Sequence, residues 1–293
     1  MHLRIQLGKL DSGFEPTPKL RGLNQQTTVT LLGRLHEALI APFRDQLDGR
    51  HLVIAPHGFL HTLPFHALRD GDDYLVDEFS VSYAPSGTVL HLCSVREAKP
   101  GHGALVMGVP DEKAPLIEEE ARAVANILPD STLLLGDRAS HENLVRYGED
   151  RRVIHIATHG LLRRDNPMFS AIRLGSSRLS VFDLYKLKLR ADLVVLSGCS
   201  TGLSSVRGSD ELVGLTRGLL YAGARAVLVS LWDVNDDSTC RFMTTFYGYL
   251  LKSLSPAAAL RQAQCELREQ FPHPYHWAPF ILVGRVENQQ DAN

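Results

Sequence analysis

The chain has 293 residues, of which 44% are hydrophobic, and a formal net charge of -2. This content is enough to bury one large core or two smaller ones, so the composition excludes a disordered chain. The near-neutral charge and the shortness of the Lys/Arg runs argue against direct binding of nucleic acid or of anionic membranes. We therefore expect a protein or a small molecule as the partner.

The cysteines are few and far apart, which argues against a zinc site or a disulfide framework. The N-terminal residues have no apolar signal segment, and no apolar run approaches the roughly 20 residues that span a bilayer. We expect a cytoplasmic protein with reduced thiols, no metal and no other cofactor. The four cysteines are Cys93, Cys199, Cys240 and Cys265.

In chain order, residues 12–26 are rich in turn formers and predict an irregular lead-in. The next segment has leucines at helical spacing and predicts a helix that ends at Pro42. Eight apolar runs of strand length follow, and several are apolar on both faces, as strands of a covered parallel sheet are. These runs are 51–56, 79–85, 104–110, 131–136, 152–160, 193–199, 226–232 and 279–284.

Helical patterns lie between these runs and have recognisable ends. One ends at Pro129, and another opens at Ser209 and closes on Gly223. A third, "DDSTCRFMTTFYGYLL", has one apolar stripe, and the last has Ser255 as its cap and Pro256 in its first turn. Strands that alternate with helices at this pitch predict an α/β sandwich with a mainly parallel sheet.

An imidazole and a thiol stand at the ends of two predicted strands. The run 152–160 ends at His159 and Gly160, and the run 193–199 ends at Cys199. Because the carboxyl ends of parallel strands meet at one edge of a sheet, we expect these residues to lie close together. A nearby imidazole helps a thiol, whose free pKa is about 8.5, to form a nucleophilic thiolate near neutral pH. We expect the N–H groups of Gly160 and Cys199 to form an oxyanion hole together.

Four motifs carry a resemblance to a known family: "IHIATHG", "NPMFSAIRL", "LVVLSGCSTG" and "AGARAVLVSLWDVNDDST". In order and spacing they resemble CHAT domains, which belong to the caspase-like clan of cysteine peptidases together with separase, gingipain and clostripain. The upstream segment 52–90 is similar to the N-terminal part of CHAT domains, so the resemblance covers roughly residues 30–285.

The resemblance implies a caspase-like α/β/α fold and cysteine endopeptidase activity in regulated proteolysis, such as defence or cell death. It implies that His159 and Cys199 are the catalytic dyad and that Gly160 is an oxyanion donor. The domain division that we expect is an irregular lead-in (1–27), a supporting N-terminal part (28–100), a catalytic core (101–287) and a tail (288–293).

The tetrad "LWDV" followed by Asp236 is most similar to separase and the arginine-specific members of the clan. The resemblance implies that an acid after this strand binds a basic P1 side chain, the residue before the cleaved bond. A carboxylate pairs bidentately with a guanidinium, so Asp233 or Asp236 would select arginine. The sequence leaves open which acid faces the pocket, because acids before a helix also cap it, and other CHAT proteins prefer apolar P1 residues.

Ser200 is a second candidate nucleophile, because residues 198–202 match the G-x-S-x-G elbow of α/β-hydrolases. The residues that would complete its Ser, Asp, His order are Asp233, Asp236, His273 and His276. Such an elbow runs straight into a helix, whereas several polar residues precede the next helical pattern here. The serine mechanism also assigns no role to His159, so we favour Cys199.

His57 is a rival for the base, since "APHG" at 55–58 echoes "ATHG" at 157–160. The resemblance places His57 in the supporting part. A metal site at His57, His61 and His66 would lack a nearby acid or cysteine ligand. A non-catalytic scaffold that keeps the caspase-like fold is the remaining alternative, and the presence of both His159 and Cys199 argues against it.

The resemblance also implies partners. CHAT domains commonly lie beside helical repeats or sensor modules that control them, and the chain has no such module of its own. We therefore expect a protein substrate and either an activating or sensor protein or a helical-repeat domain.

Overall fold

The computed structural model describes residues 18–95, 101–112, 114–161, 170–198 and 209–285. Its strands, in chain order, are β1 (His51–Ile54), β2 (Arg69–Asp70), β3 (Asp73–Tyr74), β4 (Ser80–Tyr83), β5 (Ala104–Gly108), β6 (Ser131–Leu135), β7 (Val153–Ala157), β8 (Gly160–Leu161), β9 (Ala171–Leu174), β10 (Ser177–Ser180), β11 (Leu193–Leu196), β12 (Ala226–Ser230) and β13 (Phe280–Gly284).

The helices in the same ranges are α1 (Pro18–Leu39), α2 (Leu75–Glu78), α3 (Gly87–Val95), α4 (Ile117–Ile127), α5 (His141–Gly148), α6 (Val181–Leu184), α7 (Ser209–Ala222), α8 (Asp236–Leu251), α9 (Pro256–Gln270) and α10 (Pro274–Trp277). Short 3-10 helices lie at Ala41–Gln46, Gly58–Thr62, Phe65–Ala67 and Gly136–Arg138.

One sheet of eight strands organises the described part of the chain, in the order β1-β4-β13-β12-β11-β7-β5-β6. Each of the eight apolar runs of the sequence contributes one of these strands. The neighbouring strands are parallel except β12 and β13, which are antiparallel. The prediction of a mainly parallel sheet is confirmed.

The antiparallel pair divides the sheet into two parallel halves. Strands β12, β11, β7, β5 and β6 end at one edge, and β1, β4 and β13 end at the opposite edge. His57 follows β1, whereas His159 follows β7. The two His-Gly echoes of the sequence therefore lie at opposite edges of the sheet.

Helices cover both faces of the sheet. The chain moves one way across the sheet from β5 to β6 and the other way from β11 to β12. Because such crossovers are right-handed, the connecting helices α4 and α7 lie on opposite faces. Helix α8 packs against α4, and α9 packs against α8. The central strands β5, β7, β11, β12 and β13 are buried at every position, which explains their apolar sequences.

The N-terminal helix is longer than the sequence predicted. We expected an irregular lead-in to residue 27, but α1 begins at Pro18, a residue suited to a first helical turn. Thr27 and Thr30 donate their hydroxyls to carbonyls four residues earlier, those of Leu23 and Gln26. The polar composition of 20–27 reflects the exposed surface of this helix. The expected boundary at residue 100 stays a prediction, and strands from both sides of it join the main sheet.

A small antiparallel sheet, β8-β9-β10, follows His159 and was not predicted. Its strands are two to four residues long, too short for an alternating pattern to stand out. Within the described ranges, none of the helices has the length and apolar character needed to cross a membrane.

One buried and two half-buried histidines lie at or beside α10: His66, His273 and His276. The ring of His66 packs 6.2 Å from that of Trp277, and the ring of His276 packs against Phe271. Burial lowers the pKa of His66 to about 3 and that of His273 to about 4, and it also lowers the pKa of His276. His66 and His273 are therefore neutral in the folded protein at mildly acidic pH.

This burial makes stability depend on pH. The unfolded chain binds protons at His66 and His273 near pH 6.5, whereas the folded chain does not until about pH 3 to 4. The stabilisation is complete above pH 6.5 and is lost as the pH falls through this window, by up to about 1.4 kcal/mol per pH unit and histidine. Urea unfolding followed by tryptophan fluorescence from pH 4.5 to 7.5 measures this slope. We expect a shallower slope for His66→Gln and the wild-type slope for the exposed His102→Gln; equal slopes in both variants would contradict the assignment.

Candidate active site

His159 lies at the edge of the sheet where β5, β7, β11 and β12 end. It follows β7 by two residues, and its side chain is 29% exposed. The paired registers of β7 with β5 and with β11 bring the loops after all three strands together. This is the edge at which open α/β sheets bind ligands.

Asp111 lies next to His159, in the loop after β5. Its Oδ1 is 3.5 Å from Nε2 of His159, and its Oδ2 is 2.8 Å from a guanidinium nitrogen of Arg173. The first distance exceeds an ordinary hydrogen bond, and such contacts tighten when substrate binds. The carboxylate can attract the imidazolium form of His159 through Nε2, which leaves Nδ1 as the nitrogen that can face a nucleophile.

Gly160 opens β8, and its backbone is held against β9. The N–H of Arg173 donates to the carbonyl of His159 at 3.1 Å, and the hydroxyl of Thr158 donates to the carbonyl of Arg173 at 2.8 Å. Gly160 pairs with Ile172, directly after the hydrogen-bonded pair of His159 and Arg173, so by the alternation of an antiparallel ladder it occupies a non-hydrogen-bonded position and its N–H points away from β9. An amide with this orientation is suited to an oxyanion.

The chain after β11 runs close to the chain after β7. A Cβ atom at Gly198 would lie 2.9 Å from the carbonyl oxygen of Thr158, so only glycine fits there without a backbone shift. Gly198 precedes Cys199, and Thr158 precedes His159. Cys199 and Ser200 themselves lie outside the described residues.

The acids after β12 have three different environments. Asp233 has a buried Oδ1 that accepts no hydrogen bond from the described residues. Oδ2 of Asp236 is 3.4 Å from the backbone N–H of Leu116, and burial raises the pKa of Asp236 although that N–H and His159 lower it. Asp237 is exposed and pairs with Arg241 at 3.2 Å, while Asn235 caps the helix.

Asp236 therefore belongs to the surroundings of His159, and Asp233 is the acid with an unused buried oxygen. The segment that carries Asp233 is held firmly, because the Trp232 indole donates to the carbonyl of Tyr275 at 3.0 Å and the Leu231 N–H donates to that of Pro279 at 2.8 Å.

The residues needed for the serine mechanism are arranged less favourably. Helix α7 is described from Ser209 onward, and residues 199–208, which include Ser200, lie outside the described residues. His273 uses Nδ1 to accept the backbone N–H of Tyr275, and burial lowers the pKa of His273 to about 4, which makes it a weak base. Among the described residues, neither His273 nor His276 has a hydrogen bond to Asp233.

The sequence analysis missed Asp111 and Arg173. Asp111 follows the apolar run of β5 by three residues, so the rule that chemistry gathers at carboxyl ends would have marked it. Its position beside His159 depends on β5 pairing with β7, which the sequence did not indicate. In the described ranges, no group of three or more His, Cys, Asp or Glu side chains is arranged to hold a metal ion.

A protein-family model described as CHAT domain matches residues 29–285. The chain is also similar to Tetratricopeptide repeat protein 28 of Mus musculus and of Homo sapiens, at 29% identity over 322 residues in each case. These alignments cover 86% of this chain and 13% of either relative, so the chain spans only a small part of the curated relatives that it matches.

Two solved structures share the fold. Separase in the separase-securin complex of Saccharomyces cerevisiae matches with a TM-score of 0.59 and 18% identity, over 80% of this chain and 16% of that chain. The Arg-specific cysteine proteinase gingipain R matches with a TM-score of 0.57 and 9% identity, over 88% of this chain and 66% of that chain. At these identities the likeness concerns the fold, and the expected caspase-like α/β/α architecture is confirmed.

Proposed function

Because the chain belongs to the CHAT domain family, we propose that it is a cysteine endopeptidase in which Cys199 is the nucleophile and His159 its partner. One observation carries the proposal. His159, with Asp111 at 3.5 Å, ends the strand next to β11, and β11 leads to Cys199 through Gly198, which packs against Thr158. The imidazole of His159, the carboxylate of Asp111 and the segment that precedes the thiol of Cys199 lie at one edge of the sheet.

In the first half of the reaction, the thiolate of Cys199 attacks the scissile carbonyl carbon and forms a tetrahedral oxyanion. The N–H groups of Gly160 and Cys199 donate to that oxygen. The imidazolium of His159 gives its proton to the leaving amine, the C–N bond breaks, and a thioester to Cys199 remains.

In the second half, neutral His159 takes a proton from water, and the hydroxide formed attacks the thioester carbonyl. The C–S bond breaks, the peptide leaves as a carboxylic acid, and the thiolate–imidazolium pair is restored. Asp111 stabilises the imidazolium of His159 at each stage where His159 is protonated. Arg173 keeps Asp111 in place through a 2.8 Å ion pair.

We further propose that the carboxylate of Asp233 binds a basic P1 side chain and so selects the substrate. A buried carboxylate oxygen without a donor is costly, and the guanidinium of a bound arginine would satisfy it. The ends of β7 and β12 lie on either side of β11, about 10 Å apart at the usual strand spacing, a separation that an extended arginine can bridge from a carbonyl above β11.

Control by a further module is part of the proposal. The curated relatives are tetratricopeptide repeat proteins by name, and the chain spans 13% of their length. We infer that a helical-repeat domain or a separate sensor protein regulates cleavage of a protein substrate in the cytoplasm, as the family resemblance implies.

Selective alkylation tests the proposal without any substrate. Burial raises the pKa of Cys240 to about 11 and also raises that of Cys265, so at pH 7 only about one Cys240 in 10⁴ is a thiolate. Cys93 is 7% exposed. We expect limiting iodoacetamide at pH 7 to label Cys199 at least about tenfold faster than the other three, as measured by peptide mass spectrometry.

His159→Ala is the informative variant, since it should slow the labelling of Cys199 and leave the other cysteines unchanged. Labelling of Cys199 at the rate of Cys240, or a rate that does not respond to His159→Ala, would speak against the dyad and would favour a non-catalytic scaffold.

A further inference from the structure

Three buried polar side chains from three elements meet beneath the candidate site. Nε2 of His155, in β7, lies 3.1 Å from Oε1 of Glu120, in the first turns of α4. Nδ1 of His155 lies 3.1 Å from the hydroxyl of Tyr247, in α8. Glu120 is 3% exposed, and His155 and Tyr247 are 0% exposed. These groups therefore satisfy one another or pay the full cost of desolvation.

The available hydrogen-bond donors and acceptors indicate which atoms of these three side chains carry protons. Burial and the Glu120 carboxylate raise the pKa of Tyr247 well above its ordinary value, so the hydroxyl keeps its proton. If Tyr247 donates to Nδ1 of His155, then Nε2 carries the proton of the neutral ring, and it lies in polar contact with Oε1 of Glu120 at 3.1 Å, without an aligned hydrogen bond. The other neutral tautomer would leave the Tyr247 proton without an acceptor among the described residues.

The same elements hold the end of β7. His155 and Ala157 alternate with Ile156 and face α4, where Ala157 packs against Ile117 and Ala114. Directly beyond Ala157 come Thr158 and His159. At the top of this layer, Asp236 of α8 accepts the backbone N–H of Leu116, so the first turns of α4 and α8 are joined beside His159.

The geometry points to Glu120, His155 and Tyr247 as a positioning network for His159. The network ties α4 and α8 to the strand that leads to His159, and so fixes where the imidazole ring lies. The ionisable groups around His159 and Glu120, from the elements packed against them, are Asp111, Glu119, His155, Arg173, Asp236, Cys240 and Tyr247. The catalytic consequence rests on the proposed peptidase function; the effect on the His159 ring does not.

Glu120→Gln tests the contact between His155 and α4, and Glu118→Gln is its matched control, since Glu118 is on the same helix but exposed and paired with Arg122. The measurement is the imidazole NMR spectrum of the full chain at a fixed pH, with Cys199→Ala to prevent turnover. We expect Glu120→Gln to shift the ring resonances of His159, because the strand that leads to His159 loses its polar contact with α4, and Glu118→Gln to leave them in place.

Tyr247→Phe tests the hydrogen bonds and removes only one oxygen, so it preserves the fold if Glu120→Gln does not. Tyr249→Phe is its control, because Tyr249 lies on the same helix and its hydroxyl bonds Glu266 near the surface. In the wild type, NMR should find the proton of neutral His155 on Nε2, and in Tyr247→Phe a mixture of both tautomers. With Cys199 present, kcat should fall about tenfold in Tyr247→Phe at unchanged KM, and not in Tyr249→Phe.

Two results would overturn the network: a proton on Nδ1 of His155 in the wild type, or ring resonances of His159 that Glu120→Gln does not move. These outcomes can be distinguished from those of the proposed function. Shifted His159 resonances in a protein that cleaves no peptide would keep the network and reject the peptidase. Cleavage with unshifted resonances would keep the peptidase and reject the network.

Discussion

Cys199→Ala and His159→Ala should each abolish cleavage of fluorogenic peptides, with a fall in kcat/KM of at least about 10³-fold, while Ser200→Ala retains activity. The thiolate forms the covalent bond, and the imidazolium protonates the amine, so neither step has a substitute. Peptides with arginine, aspartate or leucine at P1 should be tested with the regulatory partner or module present, since control by such a partner is part of the proposal.

The chain offers matched controls for both variants. Cys240→Ala removes a half-buried thiol with a raised pKa, and His57→Ala removes the His-Gly histidine at the opposite edge of the sheet. Both should cleave like the wild type. Activity that survives Cys199→Ala but not Ser200→Ala would replace the thiol mechanism with the serine mechanism.

The fold was largely predictable because its strands are buried on both faces. Runs such as Leu193–Leu196 and Ala226–Ser230 are apolar at every position except a terminal serine, and helices with caps such as Ser255 separate them. His159 and Gly160 were found in the same way, because they interrupt an apolar run at its carboxyl end. Local sequence is sufficient where burial alone decides the structure.

Long-range pairing was not predictable, and it decides what the local motifs mean. The echo of "APHG" and "ATHG" made His57 a rival of His159 for the base, but β12 and β13 pair in opposite directions and place His57 and His159 at opposite edges. Asp111 likewise reaches His159 only because β5 pairs with β7. These contacts join residues far apart in the chain, and no local pattern encodes them.

His155 shows a second limit of the sequence. A histidine within the run "VIHIA" reads as an exception to an apolar strand, and its partners are 35 residues earlier, at Glu120, and 92 residues later, at Tyr247. Buried polar groups need partners, so an isolated one in a predicted strand indicates that such partners exist without identifying them.

The second large effect concerns substrate choice. Asp233→Asn should lower kcat/KM for arginine at P1 by about 10² to 10³-fold and leave leucine at P1 nearly unchanged, because the substitution removes one partner of a buried charge pair. Rates for matched Arg and Leu peptides, measured side by side, give the ratio that decides the role. The amide of asparagine keeps the size of the side chain, so the change is mainly electrostatic.

The neighbouring acids separate a specificity role from a general one. Asp236 lies beside His159, so Asp236→Asn should slow Arg and Leu peptides to the same extent. Asp237 is exposed and paired with Arg241, so Asp237→Asn should change neither. If Asp233→Asn keeps the wild-type Arg-to-Leu ratio, the unused oxygen of Asp233 serves something other than P1. If the Arg-to-Leu ratio falls in Asp236→Asn instead, then Asp236, at the start of α8, is the acid that binds the basic P1 side chain.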